Sequence, residues 1–291
     1  MVKIKFTCNW TSDQEINKRV KSNFISEDNL DPGIEITDNN DYDFLFVFNK
    51  LRYNPIVSKN RIYTFIMEPS WSPNWDRNCF SYSNKVFTHD KNLYGNHENI
   101  VESPSFMFYH MDHNKHTIKS LLENKNFDKK KKMSMVVSYT PNSNGGNYGK
   151  RTELALKLLE KGFDVDIYGN GWNRTHPNIK GSLTDKYDGL IDYQYSIAVE
   201  NSCEKNYLTE KYFDISLCNG VPIYYGSPNV DEIYRNHINL NLNDINDCLD
   251  NISDILRNDK YDVEGILENK NIYFNKFNIY NKVKDIIKNR L

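Results

Sequence analysis

Apolar and polar positions alternate along VKIKFTC at the start of the chain, which predicts a half-buried strand over Lys3–Cys8. A short strand follows at Ile34–Thr37, then a continuous apolar run within Tyr42–Phe48 after an Asn/Asp cluster, then Arg61–Met67 and Lys85–Thr88. Continuous apolar strands separated by helix-length connections predict a parallel sheet covered on both faces. Between the first two strands, Ser12 with Glu15 three residues on reads as a capping box opening a helix over Ser12–Phe24.

The second half repeats the pattern more clearly. A polar, basic stretch from Asn124 to Lys132 reads as a linker, and a fresh strand starts at Met133–Ser138. A loop rich in Asn, Ser and Gly leads from Tyr139 into a helix over Lys150–Lys161, with Leu154, Ala155, Leu158 and Leu159 on one stripe and Gly162 as its stop. Strands at Phe163–Tyr168, Ser196–Val199 and Val221–Tyr225 follow, with a helix over Thr209–Leu217, and the tail from Asp247 reads as helical, broken near Gly265. The expectation is an α/β chain of two Rossmann-like, doubly wound domains facing across a cleft. Their boundaries are residues 1–132 and 133–270, with a C-terminal helix over 271–291 packing back on the first domain.

Composition narrows the function classes. With 37 Lys+Arg against 39 Asp+Glu, the net charge of −2 argues against nucleic-acid binding by bulk electrostatics. No apolar run is long enough to span a bilayer, and the N-terminus lacks a signal core, so the expected location is cytoplasmic. The five cysteines are scattered, with no Cys-x-x-Cys, and read as reduced, buried thiols rather than a disulfide or zinc framework. Low hydrophobic content is offset by 20 Tyr and 15 Phe, which supply core area that a disordered chain lacks.

In open α/β sheets, ligands bind beyond the carboxyl ends of the strands. There, Lys150 and Arg151 open one helix and Lys211 sits in the first turn of another, behind an apparent Thr209 N-cap. A cation at a helix N-terminus faces the positive end of the macrodipole, a local penalty of about 0.3–1 kcal/mol. Two such cases, both just past strand ends, suggest a bound anion, and a nucleotide diphosphate fits. Neither a P-loop nor a Gly-x-Gly-x-x-Gly pattern is present.

The stretch Tyr193–Pro228, YQYSIAVENSCEKNYLTEKYFDISLCNGVPIYYGSP, closely resembles the donor-binding signature of the α-1,3-fucosyltransferases. Its blocks are Glu200-Asn201, Tyr207-Leu-Thr-Glu-Lys211 and Val221-Pro-Ile-Tyr-Tyr-Gly-Ser-Pro228, preceded by Val165–Gly171. The resemblance covers about Met133 to Tyr234, and the first domain matches only loosely. It implies a GT-B fold of two domains and an inverting transfer of fucose from GDP-fucose to a glycan hydroxyl, with α-1,3 linkage expected from the family. It also implies that Arg151 and Lys211 contact the diphosphate, and that Asn201, Tyr207 and Glu210 line the donor site. Read alone, Glu210 is a stabilising charge in the first turn of a helix and Asn201 a turn residue.

The family's general base is a first-domain glutamate after a strand, and Arg61–Glu68, RIYTFIME, is similar to that segment, which makes Glu68 the expected base. The loop that follows, PSWSPNW, departs from the family pattern. Its Trp71 and Trp75 are either acceptor platforms, stacking on sugar C–H faces, or packing residues under a Pro-rich loop. Two metal-like patterns are set aside. Asp41/Asp43 and Asp164/Asp166 begin or lie within strands rather than following them, and His110, His113 and His116 lack a zincin glutamate. No metal site or obligatory cofactor is expected, although Mg2+ or Mn2+ can assist. The expected partners are a nucleotide-sugar donor and a glycan acceptor, with no nucleic acid and no membrane span, and the chain is expected to be a monomer or homodimer. Lacking the anchor of animal relatives, it resembles the cytosolic microbial or viral type. The alternatives are a related transferase using another nucleotide sugar and a non-catalytic carbohydrate-binding descendant.

Overall fold

The computed structural model describes residues 1–23, 33–105, 108–141, 145–173, 175–258 and 261–289. The first sheet contains β1 (Val2–Cys8), β2 (Ile34–Ile36), β3 (Phe44–Phe48), β4 (Ile62–Phe65), β5 (Lys85–Thr88) and β6 (Ile100–Glu102), in the order β2-β1-β3-β4-β5-β6. The second contains β7 (Lys131–Val136), β8 (Asp166–Tyr168), β9 (Ile179–Gly181), β10 (Tyr193–Val199), β11 (Val221–Tyr225) and β12 (Ile238–Asn239), in the order β12-β11-β10-β7-β8-β9. Every neighbouring pair is parallel. The second order is the 3-2-1-4-5-6 of a dinucleotide-binding domain and the first follows the related 2-1-3-4-5 winding, so each sheet reverses direction beside its first strand. The expected pair of doubly wound α/β sheets is what the chain forms.

Side-chain alternation explains the double cover. Along β3, Phe44, Phe46 and Phe48 join a core shared with β1 and α1 (Asp13–Lys21), while Leu45 and Val47 point to a second cluster on the opposite face. Aromatic rings form a ladder across the first face, with centroids 5.3 Å apart for Phe6–Phe46, 5.6 Å for Phe46–Tyr63 and 4.7 Å for Phe65–Phe87. The same core continues across the domain boundary to Leu208, Phe213 and Tyr224.

The remaining helices are α2 (Cys79–Tyr82), α3 (Ile118–Glu123), α4 (Tyr148–Glu160), α5 (Glu210–Leu217), α6 (Val230–Ile233), α7 (Ile245–Arg257), α8 (Val263–Ile272) and α9 (Ile279–Lys288). Helices α4 and α7 cover one face of the second sheet through Leu154, Leu158, Leu249 and Ile252. Helix α9 lies in the first domain's core, where Ile279, Val283 and Ile287 share a cluster with Ile16 and Val20.

Several local expectations change. Ser12 caps α1 by accepting from the Glu15 amide at 3.1 Å, but the Glu15 carboxylate takes Arg19 Nε at 3.0 Å instead of closing the box. That helix ends at Lys21, so the expected terminus at Phe24 falls outside the described residues. The tail does break near Gly265, between α7 and α8, where Asp262 caps the new helix by accepting from the Gly265 amide at 3.1 Å. The chain turns again at a π-helical turn, Tyr273–Phe277. No helix among the described residues is long and apolar enough to cross a membrane.

Candidate functional site

The winding of the second sheet reverses between β7 and β10, and the carboxyl ends of those strands open a crevice there. Ser138, Tyr148, Arg151, Gly169, Asn170 and Lys186 line a cleft of about 490 Å³ at this point, with His110 reaching in beside them. Gly169 is required by backbone contact. With φ +143°, a Cβ there would stand 2.1 Å from the Val137 carbonyl oxygen. A larger open groove of about 880 Å³ lies on the outer side of α4, among Lys150, Glu153, Leu156, Lys157 and Ile179, and is lined by neither Arg151 nor Lys211.

Residues of the 200–211 motif converge with Arg151 on one charged cluster. Thr209 caps α5, and its amide and hydroxyl each donate to the fully buried Glu200 carboxylate at 2.7 Å. Lys211 Nζ lies 3.2 Å from Thr209 Oγ1, 3.2 Å from Glu210 Oε1 and 3.6 Å from Glu200 Oε2. Arg151 Nη1 donates to Asn201 Oδ1 at 3.0 Å, and its guanidinium lies 4.5 Å from the centre of the Tyr148 ring. Arg151 Nε is buried without a hydrogen-bond partner, and no described carboxylate pairs with this side chain. An unpartnered buried donor is costly, and an anionic oxygen entering the cleft would satisfy it.

The charges set one another. Burial raises the Glu210 carboxyl, but Lys211, His110 and Lys186 together outweigh it and hold the group well below the usual carboxylate range. Glu200 goes the other way, because burial raises its carboxyl and Lys211 offsets only part of the effect. Burial lowers the Lys211 ammonium, yet Glu210 and Glu200 prevail and keep it above its ordinary value. The cluster therefore keeps its cation charged without ligand.

Glu68 follows β4, half-buried, and accepts from Ser72 Oγ at 3.0 Å. It faces the donor segment: the fully buried Tyr207 phenol is raised well above its ordinary range, by burial first and then by the carboxylates of Glu200, Glu68 and Glu210. Trp71 is 43% exposed and lies against Gly145 and Gly146, with its indole N–H donating to Ser202 Oγ at 3.3 Å. Trp75 is different and corrects the expectation of a second acceptor platform. It is 5% exposed, packs with Phe80 and Tyr94, and donates to the Ser70 carbonyl at 3.2 Å. The loop turns it inward under Arg77, whose guanidinium stacks 3.5 Å from its ring centre.

Most of the residues set aside as metal ligands have structural partners, whereas Asp164 is exposed. Asp166 pairs with Lys131 at 2.9 Å and Lys180 at 3.1 Å, Asp43 accepts from the Lys3 amide at 2.9 Å, and His116 meets Asp185 at 3.0 Å. No group of three metal-ligating side chains occurs among the described residues. Sequence reasoning missed Lys186, which bonds Asp214 at 2.8 Å, and Tyr148, because neither stands in a local motif. Their only signal is proximity to strand ends.

Comparison with known proteins agrees with this geometry. Residues 127–261 match the family model of glycosyltransferase family 10 (fucosyltransferase), C-terminal part. A fucosyltransferase-like protein of Arabidopsis thaliana is 34% identical over 90 residues, which is 31% of this chain and 17% of that protein. The alpha-(1,3)-fucosyltransferase fut-5 of Caenorhabditis elegans is 36% identical over 74 residues, 24% of this chain and 20% of that protein. The chain thus aligns with a fifth or less of these curated relatives' length. Among solved structures, an alpha1,3-fucosyltransferase crystallised with GDP-fucose superimposes with a TM-score of 0.56 at 19% identity, covering 99% of this chain and 89% of that one. The Anabaena protein Alr3699/HepE, solved with UDP and glucose, has a TM-score of 0.60 at 8% identity with both chains fully covered. Residues 127–261 are thus similar to the C-terminal part of glycosyltransferase family 10, the fucosyltransferases, and the two parallel sheets have the GT-B arrangement of the solved neighbours.

Proposed function

We propose that this chain transfers fucose from GDP-fucose to a hydroxyl of a glycan acceptor with inversion. The observation that carries the reading is the pair of cations at the sheet's reversal point: Arg151, with its unpartnered Nε, and Lys211, held charged at the mouth of α5. In the proposed reaction, the acceptor oxygen attacks the anomeric carbon from the face opposite the diphosphate. The bond from that carbon to the phosphate oxygen breaks, its electron pair leaves with GDP, and Glu68 takes the acceptor proton. Arg151, Lys211 and the α5 N-terminus stabilise the departing charge, Asn201 and Tyr207 line the donor, and Glu210 accepts from sugar hydroxyls. Trp71 offers its exposed face to the acceptor. An α-1,3 linkage is supported by the named relatives.

In this reading, residues 1–132 bind acceptor and carry the base, residues 133–270 bind donor, and residues 271–291 brace the first domain. Mg2+ or Mn2+ assists without being required. The protein works in the cytoplasm as a monomer or homodimer.

Calorimetric titration with GDP, UDP and ADP, first in EDTA and then with magnesium, tests the reading. It predicts preferential GDP binding that survives EDTA. A preference for UDP keeps the fold and discards fucose, and no binding by any of the three points to a non-catalytic descendant.

A further inference from the structure

The segment between Asn201 and Tyr207 crosses to the first domain, and one carboxylate does most of the joining. Glu204 Oε2 accepts from the Ser70 amide at 3.0 Å and also meets His89 Nε2, while Oε1 accepts from Ser70 Oγ at 3.1 Å and Ser202 Oγ at 2.9 Å. Its partner His89 is fully buried, with its ring edge-on to Tyr94 and Tyr207 at centroid distances of 5.4 and 5.2 Å. Asn206, at φ +59°, donates to the His89 carbonyl at 2.8 Å. Burial raises the Glu204 carboxyl, but His89, the Ser70 amide and Ser202 hold it below the usual range, so it stays ionised.

Ser70 lies two residues past Glu68, and the carbonyls of Ser70 and Ser72 are held by Arg77 at 2.8 and 3.0 Å. The loop with Glu68 is thus rigid on its own side and is tied to the donor domain through Glu204. At either end of the segment are the donor residues, Asn201 on one side and Tyr207, Glu210 and Lys211 on the other. We infer that Glu204 is a positioning residue: with His89 and Ser70 it registers the Glu68 loop against the donor segment and sets the distance between base and anomeric carbon. This rests on the functional reading above. A misplacement of about 1 Å at a reacting pair can cost about a hundredfold in rate.

The test is a double-mutant cycle on the full chain. Glu204→Ala should leave GDP affinity and binding stoichiometry by calorimetry within about two-fold, while lowering kcat by about 10- to 100-fold with little change in the donor KM. In a Glu68→Gln background the same change should cost less than about three-fold, because its effect runs through Glu68. Glu204→Gln should recover most of the rate, since its amide oxygen can take the place of Oε2, accepting from the Ser70 amide and facing His89, while its N–H group donates to the Ser70 and Ser202 hydroxyls. Hydrogen exchange at the Ser70 amide should speed up in Glu204→Ala, a readout that needs no substrate. Should Glu204→Ala fail to fold, Ser70→Ala removes one contact from the opposite side and should lower kcat by about 3- to 10-fold. A wild-type rate in Glu204→Ala, equal losses in both backgrounds, or unchanged Ser70 exchange overturns the inference. A wild-type chain that neither binds GDP nor transfers fucose instead overturns the functional reading, and the exchange result still decides whether the latch exists.

Discussion

Replacing Lys211 with alanine separates what the cation does for the fold from what it does for the donor. Its ammonium lies within 3.2 Å of Glu210 and 3.6 Å of Glu200, and Glu200 is completely buried. Without it, two neighbouring carboxylates are left with Thr209, with His110 at 3.7 Å from Glu210, and with the more distant Arg151 and Lys186. Removing one partner of a buried pair costs about 3–5 kcal/mol. The Lys211 side chain is 22% exposed, so solvent screens part of that and about 2–3 kcal/mol is expected. If Lys211 contacts the diphosphate as proposed, the donor loses a charge-assisted hydrogen bond, about 1.5–3 kcal/mol, which is roughly a 10- to 150-fold rise in the GDP dissociation constant. Lys211→Arg keeps the charge and should lie within about ten-fold of wild type. Urea unfolding measures the first quantity and calorimetry the second, at a temperature where the variant is folded. GDP affinity within two-fold of wild type in folded Lys211→Ala would refute the diphosphate clamp.

The two tryptophans of the 68–78 loop should part company. Trp75→Ala should destabilise the chain by about 3–5 kcal/mol in urea while the folded fraction still binds GDP, whereas Trp71→Ala should change stability little and raise the acceptor KM. Gly169→Ala brings a Cβ to 2.1 Å from the Val137 carbonyl, so β8 and β7 must separate at the cleft; weaker GDP binding with retained far-UV circular dichroism is expected. Asp214 is buried, and burial raises its carboxyl to about 6 despite Lys186. Because this lies above the unfolded value, the folded state binds the extra proton. The associated stability is complete below about pH 4 and is lost as pH rises through about 6, on the order of 3 kcal/mol for a shift of about two units. Asp214→Asn should flatten that stretch of the stability–pH curve.

How much could be read without coordinates depended on how local each signal was. The donor half was legible because its chemistry is concentrated in consecutive residues: Thr209 both caps α5 and holds Glu200, so the motif and the helix start coincide. The short strands β6, β9 and β12 escaped notice because so few residues carry little alternation, although the equally short β2 was legible from its Ile-Glu-Ile. Trp71 and Trp75 looked equivalent on paper. Only the packing of Arg77 and Tyr94 around one of them decides which is inside. The Glu204 latch was invisible for a simpler reason. It joins residues 115 and 134 positions apart, and nothing in Glu-Lys-Asn marks that glutamate as different from a solvated one.

Turnover in EDTA is the most direct test of the proposed metal-independent clamp that presents fucose to Glu68. The full chain is incubated with GDP-fucose, or with UDP-linked sugars, over a panel of oligosaccharides, and nucleotide release is followed alongside glycan mass. GDP release coupled to addition of one fucose is expected to persist in EDTA, with the rate falling by at least about a hundredfold in Glu68→Gln. Preferential consumption of a UDP-sugar, loss of turnover in EDTA, or undiminished transfer by Glu68→Gln would contradict it.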